Sequence, residues 1–382
     1  METSEIIDMR NRITPEELEA IVRNNITLIG ENPELAASLP PLMVWGGPGV
    51  GKSTILQNVA KETGIGFIDI RLAQREPVDI RGLPVPREDS VSWLISSDWP
   101  RDKDSRGILL FDELTAADRS LQVAAYEIIL DRRLGDLYHL PDGWYIVAAG
   151  NREEDMAVSM TMSSALANRF MHVELQESPP EWVKWGLQNG IHPTVIGFIR
   201  FRPDLLFHQE NENLERGWPS PRSWDRVSTL LHRFKDTERP NLLDKLIYGL
   251  VGNQAGMEFM AFKEIATQFE DTYELMTNPN KKISIPARPD QRYAFCAAVA
   301  YHLWRGTNDA EEQKLLDGFY RITLALPSDF ATMLMMDALT GNRKTNDPSM
   351  FANKLYNHKD YTAWADKHGK AMRARMNKRS LE

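Results

Sequence analysis

Between residues 40 and 176, short and nearly continuous apolar runs alternate with stretches whose apolar positions recur every three or four residues. The runs are Leu42-Met43-Val44-Trp45, Phe67-Ile68-Asp69-Ile70, Ile108-Leu109-Leu110-Phe111, Trp144-Tyr145-Ile146-Val147-Ala148-Ala149 and Met171-His172-Val173-Glu174-Leu175. A strand wet on one face alternates apolar with polar residues, so unbroken runs point to strands covered on both faces. Residues 53–62 and 119–131 carry helical spacing between them, the order expected of a parallel sheet with crossover helices. The pattern predicts an α/β unit on a five-stranded parallel sheet.

After Ser178-Pro179-Pro180 the β-type runs stop, and residues 181–187, 223–234 and 242–251 show helical periodicity. A turn-rich stretch from Asn278 to Pro286 interrupts this helical half. The expected organisation is an α/β core over 1–178, an all-α lid over 179–275 and a helical extension over 276–382.

Composition alters this picture little. Apolar residues make up 42% and charged residues 26% of the chain, which excludes wholesale disorder and fibrous repeats. A net charge of −9 argues against a surface devoted to nucleic acid, although a local basic patch stays open. No apolar run approaches the length needed to span a bilayer, and the acidic start Met1-Glu2-Thr3-Ser4-Glu5 lacks a signal peptide's basic and apolar regions. The expectation is a cytoplasmic protein without membrane contact. Cys296 is the single cysteine and sits in an apolar helical stretch, so it reads as a buried structural thiol.

Candidate chemistry lies where strands end. Gly46-Gly47-Pro48-Gly49-Val50-Gly51-Lys52-Ser53 fits G-x-x-x-x-G-K-[ST], follows an apolar run and opens a helix at Ser53-Thr54. Glycines let successive N–H groups turn toward one anion, and the helix start adds positive potential. Lys52 would reach the outer phosphates of ATP or ADP, and Ser53 would offer a hydroxyl to Mg2+. The run 108–111 ends in Asp112-Glu113, so both acids leave the strand's carboxyl end, where ligands of open α/β sheets bind. Asp112 suits the metal shell, and Glu113 can orient the attacking water. Asn151, at the tip of the run 144–149, could hold that water or the γ-phosphate; alone it would read as a turn asparagine.

The order of these elements, with Leu166-Ala167-Asn168-Arg169-Phe170 and Pro219-Ser220-Pro221-Arg222-Ser223-Trp224, resembles the MoxR family of AAA+ ATPases over residues 40–235. The flavour is that of bacterial and phage MoxR-like, dynein-related proteins. That resemblance implies Lys52 and Ser53 in Walker A, Asp112 and Glu113 in Walker B, and Asn151 as sensor 1. It also implies Arg169 as an arginine finger completing a neighbouring subunit's site, and Arg222 as sensor 2. Without it, each arginine would read as pairing with a surface carboxylate. Arg132 and Arg133 would equally suit a helix end.

The same resemblance implies a homo-oligomeric ring, hexameric in this family, with a von Willebrand A domain partner and a protein client remodelled in chaperone-like fashion. Two stretches read as hairpins, one turning at Pro86-Arg87-Glu88-Asp89-Ser90 and one about Leu134-Gly135-Asp136-Leu137-Tyr138, and the resemblance implies that they face the pore; plain loop packing is the other reading. The alternative function is a nucleic-acid motor or loader of the same ATPase class. It is motivated by Lys367, Lys370, Arg373, Arg375, Lys378 and Arg379, which would equally suit a solvated terminal helix.

Overall fold

A computed structural model describes residues 11–152, 162–209, 216–234, 241–341 and 348–379. The acidic start and the side chains of Lys378 and Arg379 lie outside the described residues. The chain packs as two compact units, the first ending at Ser178 and the second beginning at Pro179.

In the first unit the strands are β1 (Arg12–Ile13), β2 (Leu42–Trp45), β3 (Gly66–Arg71), β4 (Leu83–Pro86), β5 (Val91–Leu94), β6 (Gly107–Asp112), β7 (Arg133–Leu134), β8 (Tyr138–His139), β9 (Trp144–Gly150) and β10 (Met171–Leu175). The helices are α1 (Pro15–Glu31), α2 (Lys52–Thr63), α3 (Pro77–Arg81), α4 (Arg119–Asp131) and α5 (Ser164–Ala167).

The central sheet has the order β1-β10-β2-β9-β6-β3 and is parallel throughout. All five anticipated runs are strands in it. The sixth, β1, is a two-residue edge strand beside β10 and has no apolar run to announce it. Burial on both faces explains the continuous apolar sequences of the interior strands, while β3, at the edge, is only partly covered. Met43, Leu109, Phe111, Ile146 and Ala148 belong to a core cluster with Leu121, Ala125 and Ile128 of α4. Their neighbours Leu42, Val44, Ile108, Leu110, Val147 and Ala149 are equally buried, on the opposite face by strand alternation.

Both anticipated hairpins form. Strands β4 and β5 pair antiparallel with Val85 opposite Ser92, and the Arg87 N–H closes the turn on the Ser90 carbonyl at 2.8 Å. Strands β7 and β8 pair Leu134 with Tyr138. Arg132 is a scaffold residue: it ends α4 in the left-handed region and donates to the carbonyls of Pro141 and Trp144 at 2.9 and 2.8 Å.

The second unit is helical, with α6 (Pro179–Asn189), α7 (Pro193–Phe201), α8 (Pro221–Arg233), α9 (Leu242–Val251), α10 (Asn253–Ala266), α11 (Thr272–Thr277), α12 (Pro289–Leu303), α13 (Asp309–Ala325), α14 (Ser328–Thr340), α15 (Pro348–Tyr356) and α16 (Tyr361–Arg379). It holds two apolar clusters, one around Phe198, Trp224 and Phe259, the other around Phe319, Tyr320 and Trp364. Helix α12 feeds both, through Ala294 and Ala297 on one side and Phe295, Cys296 and Val299 on the other. Burial pushes the Cys296 thiol up to about 12, so it is a structural thiol as expected.

Candidate nucleotide site

The parallel register brings three strand ends to one level. Trp45, the last residue of β2, lies opposite Gly150 of β9, and Phe111 of β6 lies opposite Ala148. The loops that follow β2, β6 and β9 therefore leave the same edge of the sheet.

After β2, the loop Gly46-Gly47-Pro48-Gly49-Val50-Gly51 turns back into α2. Gly49 (φ 89°) and Gly51 (φ 105°) occupy backbone conformations that side chains rarely adopt, which is why glycine is required where the loop curls. Lys52 opens α2 and is buried. Its ammonium donates to the carbonyls of Gly46 (2.5 Å) and Gly47 (3.1 Å) and to Asn151 Oδ1 (3.1 Å). Asn151 thus reaches the loop's lysine from a neighbouring strand, where the sequence placed it. Thr54 is exposed one residue past Ser53.

Ser53 Oγ donates to Asp112 Oδ2 at 2.6 Å, and Asp112 Oδ1 accepts the Glu113 N–H at 2.9 Å. A hydroxyl and a carboxylate held this close, beside a lysine, match the hard oxygen set that Mg2+ takes with a phosphate chain. Glu113 itself is left-handed (φ 57°, ψ 32°), and its carboxylate bonds to no described residue. On β3, Asp69 is a half-buried acid that the sequence reading did not single out. Burial first, then the charge of Asp112, holds its carboxyl above the usual range, while Arg71 opposes the shift from 3.5 Å.

The two arginines are placed differently. Arg169 is exposed on the turn between α5 and β10, and Met171, which starts β10, lies level with Leu42, which starts β2. Arg169 therefore stands at the amino edge of the sheet, opposite the edge that carries Lys52, Asp112 and Asn151. It lines a small cavity there with Pro40, Pro41, Tyr145 and Arg132. Its guanidinium carbon lies 5.9 Å from the Tyr126 ring centre and forms no hydrogen bond or ion pair with described residues. Arg222 belongs to the second unit, in the first turn of α8, where Ser220 caps the helix and Pro221 opens it. It is exposed and likewise has no described partner.

A further contact had no local signature. The Trp45 indole N–H donates to His172 Nδ1 at 2.9 Å, with the rings stacked at 6.0 Å and 17°. His172 Nε2 in turn lies 2.8 Å from the Ala167 carbonyl. The partners are 127 residues apart, so only the folded sheet brings them together.

Residues 42–170 match the family model described as ATPase family associated with various cellular activities (AAA). Midasin of Giardia intestinalis is 25% identical over 169 residues, 42% of this chain, and the chain spans only 4% of that relative's length. Solved structures with a similar course include NtrX of Brucella abortus in complex with ADP, at 14% identity and TM-score 0.35, covering 87% of this chain and 67% of that one. A katanin structure covers 68% and 83% at 16% identity and TM-score 0.35. The Thermotoga maritima RuvB Holliday junction branch migration motor covers 66% and 76% at 15% identity and TM-score 0.31. The matched stretch begins with β2 and closes just past Arg169, so it takes in both edges of the sheet, and residues 42–170 are an ATPase domain of the AAA family.

Proposed function

We propose that this chain forms a MoxR-like homo-oligomeric ring, hexameric as the family resemblance implies, whose ATP cycle remodels a protein client. The observation that carries the reading is the separation of the site's halves. Lys52, Ser53, Asp112 and Asn151 gather at the carboxyl edge of the sheet, whereas Arg169 stands at the amino edge. A five-residue strand such as β10 spans about 16 Å, and charge-assisted contact needs about 3 Å, so Arg169 does not serve the phosphates of its own subunit. An exposed guanidinium with no carboxylate partner among the described residues suits a neighbour's γ-phosphate.

In the cycle, Lys52 exchanges the carbonyls of Gly46 and Gly47 for phosphate oxygens, and the N–H groups of the loop turn toward the same anion. Ser53 and Asp112 would hold Mg2+, which would supply Lewis-acid stabilisation of phosphate charge. Glu113 orients the attacking water, and Asn151 holds it or the γ-phosphate in line. Arg169 of the adjacent subunit adds positive charge where negative charge develops, which ties turnover to assembly. Arg222, in a lid assigned to residues 179–275, would touch the γ-phosphate from within its own subunit, leaving 276–382 as an extension. The cation sits at a helix N-terminus, where the dipole disfavours it, and an anionic ligand removes that conflict.

The hairpins β4–β5 and β7–β8 are the elements proposed to meet the client. Leu83, Val91, Trp93 and Leu94 are exposed on the first, and Leu137 on the second. A von Willebrand A domain partner rests on the family resemblance, and a cytoplasmic setting on the lone Cys296, whose free thiol suits a reducing compartment. The nucleic-acid reading has less behind it. Of the basic residues in α16, Lys367 donates to the Leu324 carbonyl and Arg375 to the Asp329 carbonyl, while Trp364 and His368 are buried.

The test uses mixed assemblies. Arg169→Ala should bind ATP and lose turnover on the order of a thousandfold. Adding Lys52→Ala subunits, inactive alone but with an intact finger, should restore part of the rate. Absence of any recovery would remove the arrangement between subunits.

A further inference from the structure

We propose that His172 is a positioning residue that links the phosphate loop of one subunit to the Arg169 finger the same subunit offers its neighbour. The idea rests on the reading of Arg169 given above and adds a route by which nucleotide at one edge of the sheet sets the finger at the other.

The chain of contacts crosses the sheet. The Gly46 carbonyl accepts from Lys52 at 2.5 Å, so the residue that directly follows Trp45 carries one of the bonds that nucleotide binding replaces. Trp45 reaches back to His172, which lies level with Met43 in mid-strand, and His172 reaches the Ala167 carbonyl at the amino edge. Ala167 also accepts the Phe170 N–H at 3.2 Å, so this carbonyl closes the turn that contains Arg169. The Phe170 ring meets His172 edge-on at 6.1 Å and 64°. His172 therefore touches both ends of the finger's turn.

Hydrogen-bond polarity makes the link specific. An indole N–H can only donate, so Nδ1 of His172 must accept. The neutral ring then carries its proton on Nε2, and that nitrogen faces the Ala167 carbonyl. Each contact fixes the tautomer that the other requires, so a shift of Trp45 re-aims a ring whose far side holds the turn. A partly buried histidine on an interior strand would be costly with either nitrogen unpaired, and here neither is.

His172→Phe keeps the ring between Trp45 and Phe170 and removes both hydrogen bonds. It should lower kcat by between about tenfold and a hundredfold through misplacement of the finger, with ATP affinity unchanged. Mixed with Lys52→Ala subunits, whose turns are intact, His172→Phe should recover turnover, as Arg169→Ala does. A wild-type kcat for His172→Phe overturns the proposal, and so does recovery with Arg169→Ala but not with His172→Phe. If neither mixture recovers, the finger reading falls and this link falls with it. Trp45→Phe supplies a second measure should His172→Phe fold poorly. The double variant Trp45→Phe, Arg169→Ala should lose no more turnover than Arg169→Ala alone, and losses that multiply would mean that Trp45 acts elsewhere.

Discussion

At the scale of single residues, the candidate nucleotide site is where the backbone departs from comfort. Glu113 is one of three non-glycine residues with positive φ among the described residues, and holding a side chain there costs about 1 kcal/mol. The Asp112 carboxylate accepts the Glu113 N–H and so helps to hold the bend that separates the two acids: Asp112 faces Ser53, while the Glu113 carboxylate has no partner among the described residues. That separation of tasks predicts the behaviour of Glu113→Gln. The variant should retain ATP and thermal stability yet lose turnover by at least about a hundredfold, since the amide cannot polarise water. Single-turnover hydrolysis with bound ATP checks it, and a wild-type rate would take Glu113 out of the water-orienting role. Lys52, Ser53, Asp112 and Asn151 were legible because each follows an apolar run by a fixed short step. Trp45 and His172 were not, because their relation exists only across paired strands and leaves no local spacing.

At the scale of elements, legibility tracked burial. The four interior strands read clearly because both faces are covered, and the edge strand β3 reads through Phe67, Ile68 and Ile70 although only Ile70 is buried; β1, at the other edge, is two residues long and joins through Arg12 beside Glu174 and Ile13 beside Leu175. Helix α12 shows the converse: it is apolar nearly all round because it serves two clusters, so its sequence shows burial but not which partner lies where. Helix α8 carries a local conflict that the sequence displayed openly. Its N-terminus has Ser220 as cap and Pro221 at the first position, both favourable, and then Arg222, a cation at the positive end of the dipole. Replacing Arg222 with Ala should leave stability unchanged or raise it by up to about 1 kcal/mol. ATP turnover should fall all the same. Parallel melting curves and steady-state rates decide the matter: a loss of stability together with activity would make Arg222 a packing residue.

At the scale of the whole molecule, the histidines whose titration distinguishes folded from unfolded chain lie in the second unit. His192 is pushed down to about 4, first by burial and then by the neighbouring His232, with their rings 4.9 Å apart. His302 is also pushed down to about 4, by burial and then by Arg305. A depressed histidine stays neutral when folded, whereas the unfolded chain takes up its proton near the ordinary 6.5. Protons therefore favour unfolding as pH falls from 6.5 toward 4, and the contribution levels off below that. His192 also caps α7, accepting the Thr194 N–H at Nδ1 from 3.2 Å. His192→Asn keeps a side-chain acceptor well suited to that cap while removing the titration. The wild-type Tm should drop between pH 7 and pH 4.5, and the variant's Tm should drop less over the same interval while matching the wild type at pH 7. Parallel pH profiles would assign the acid sensitivity to other groups, and a lower Tm for the variant at pH 7 would show that the ring's packing, not its charge, is what His192 contributes.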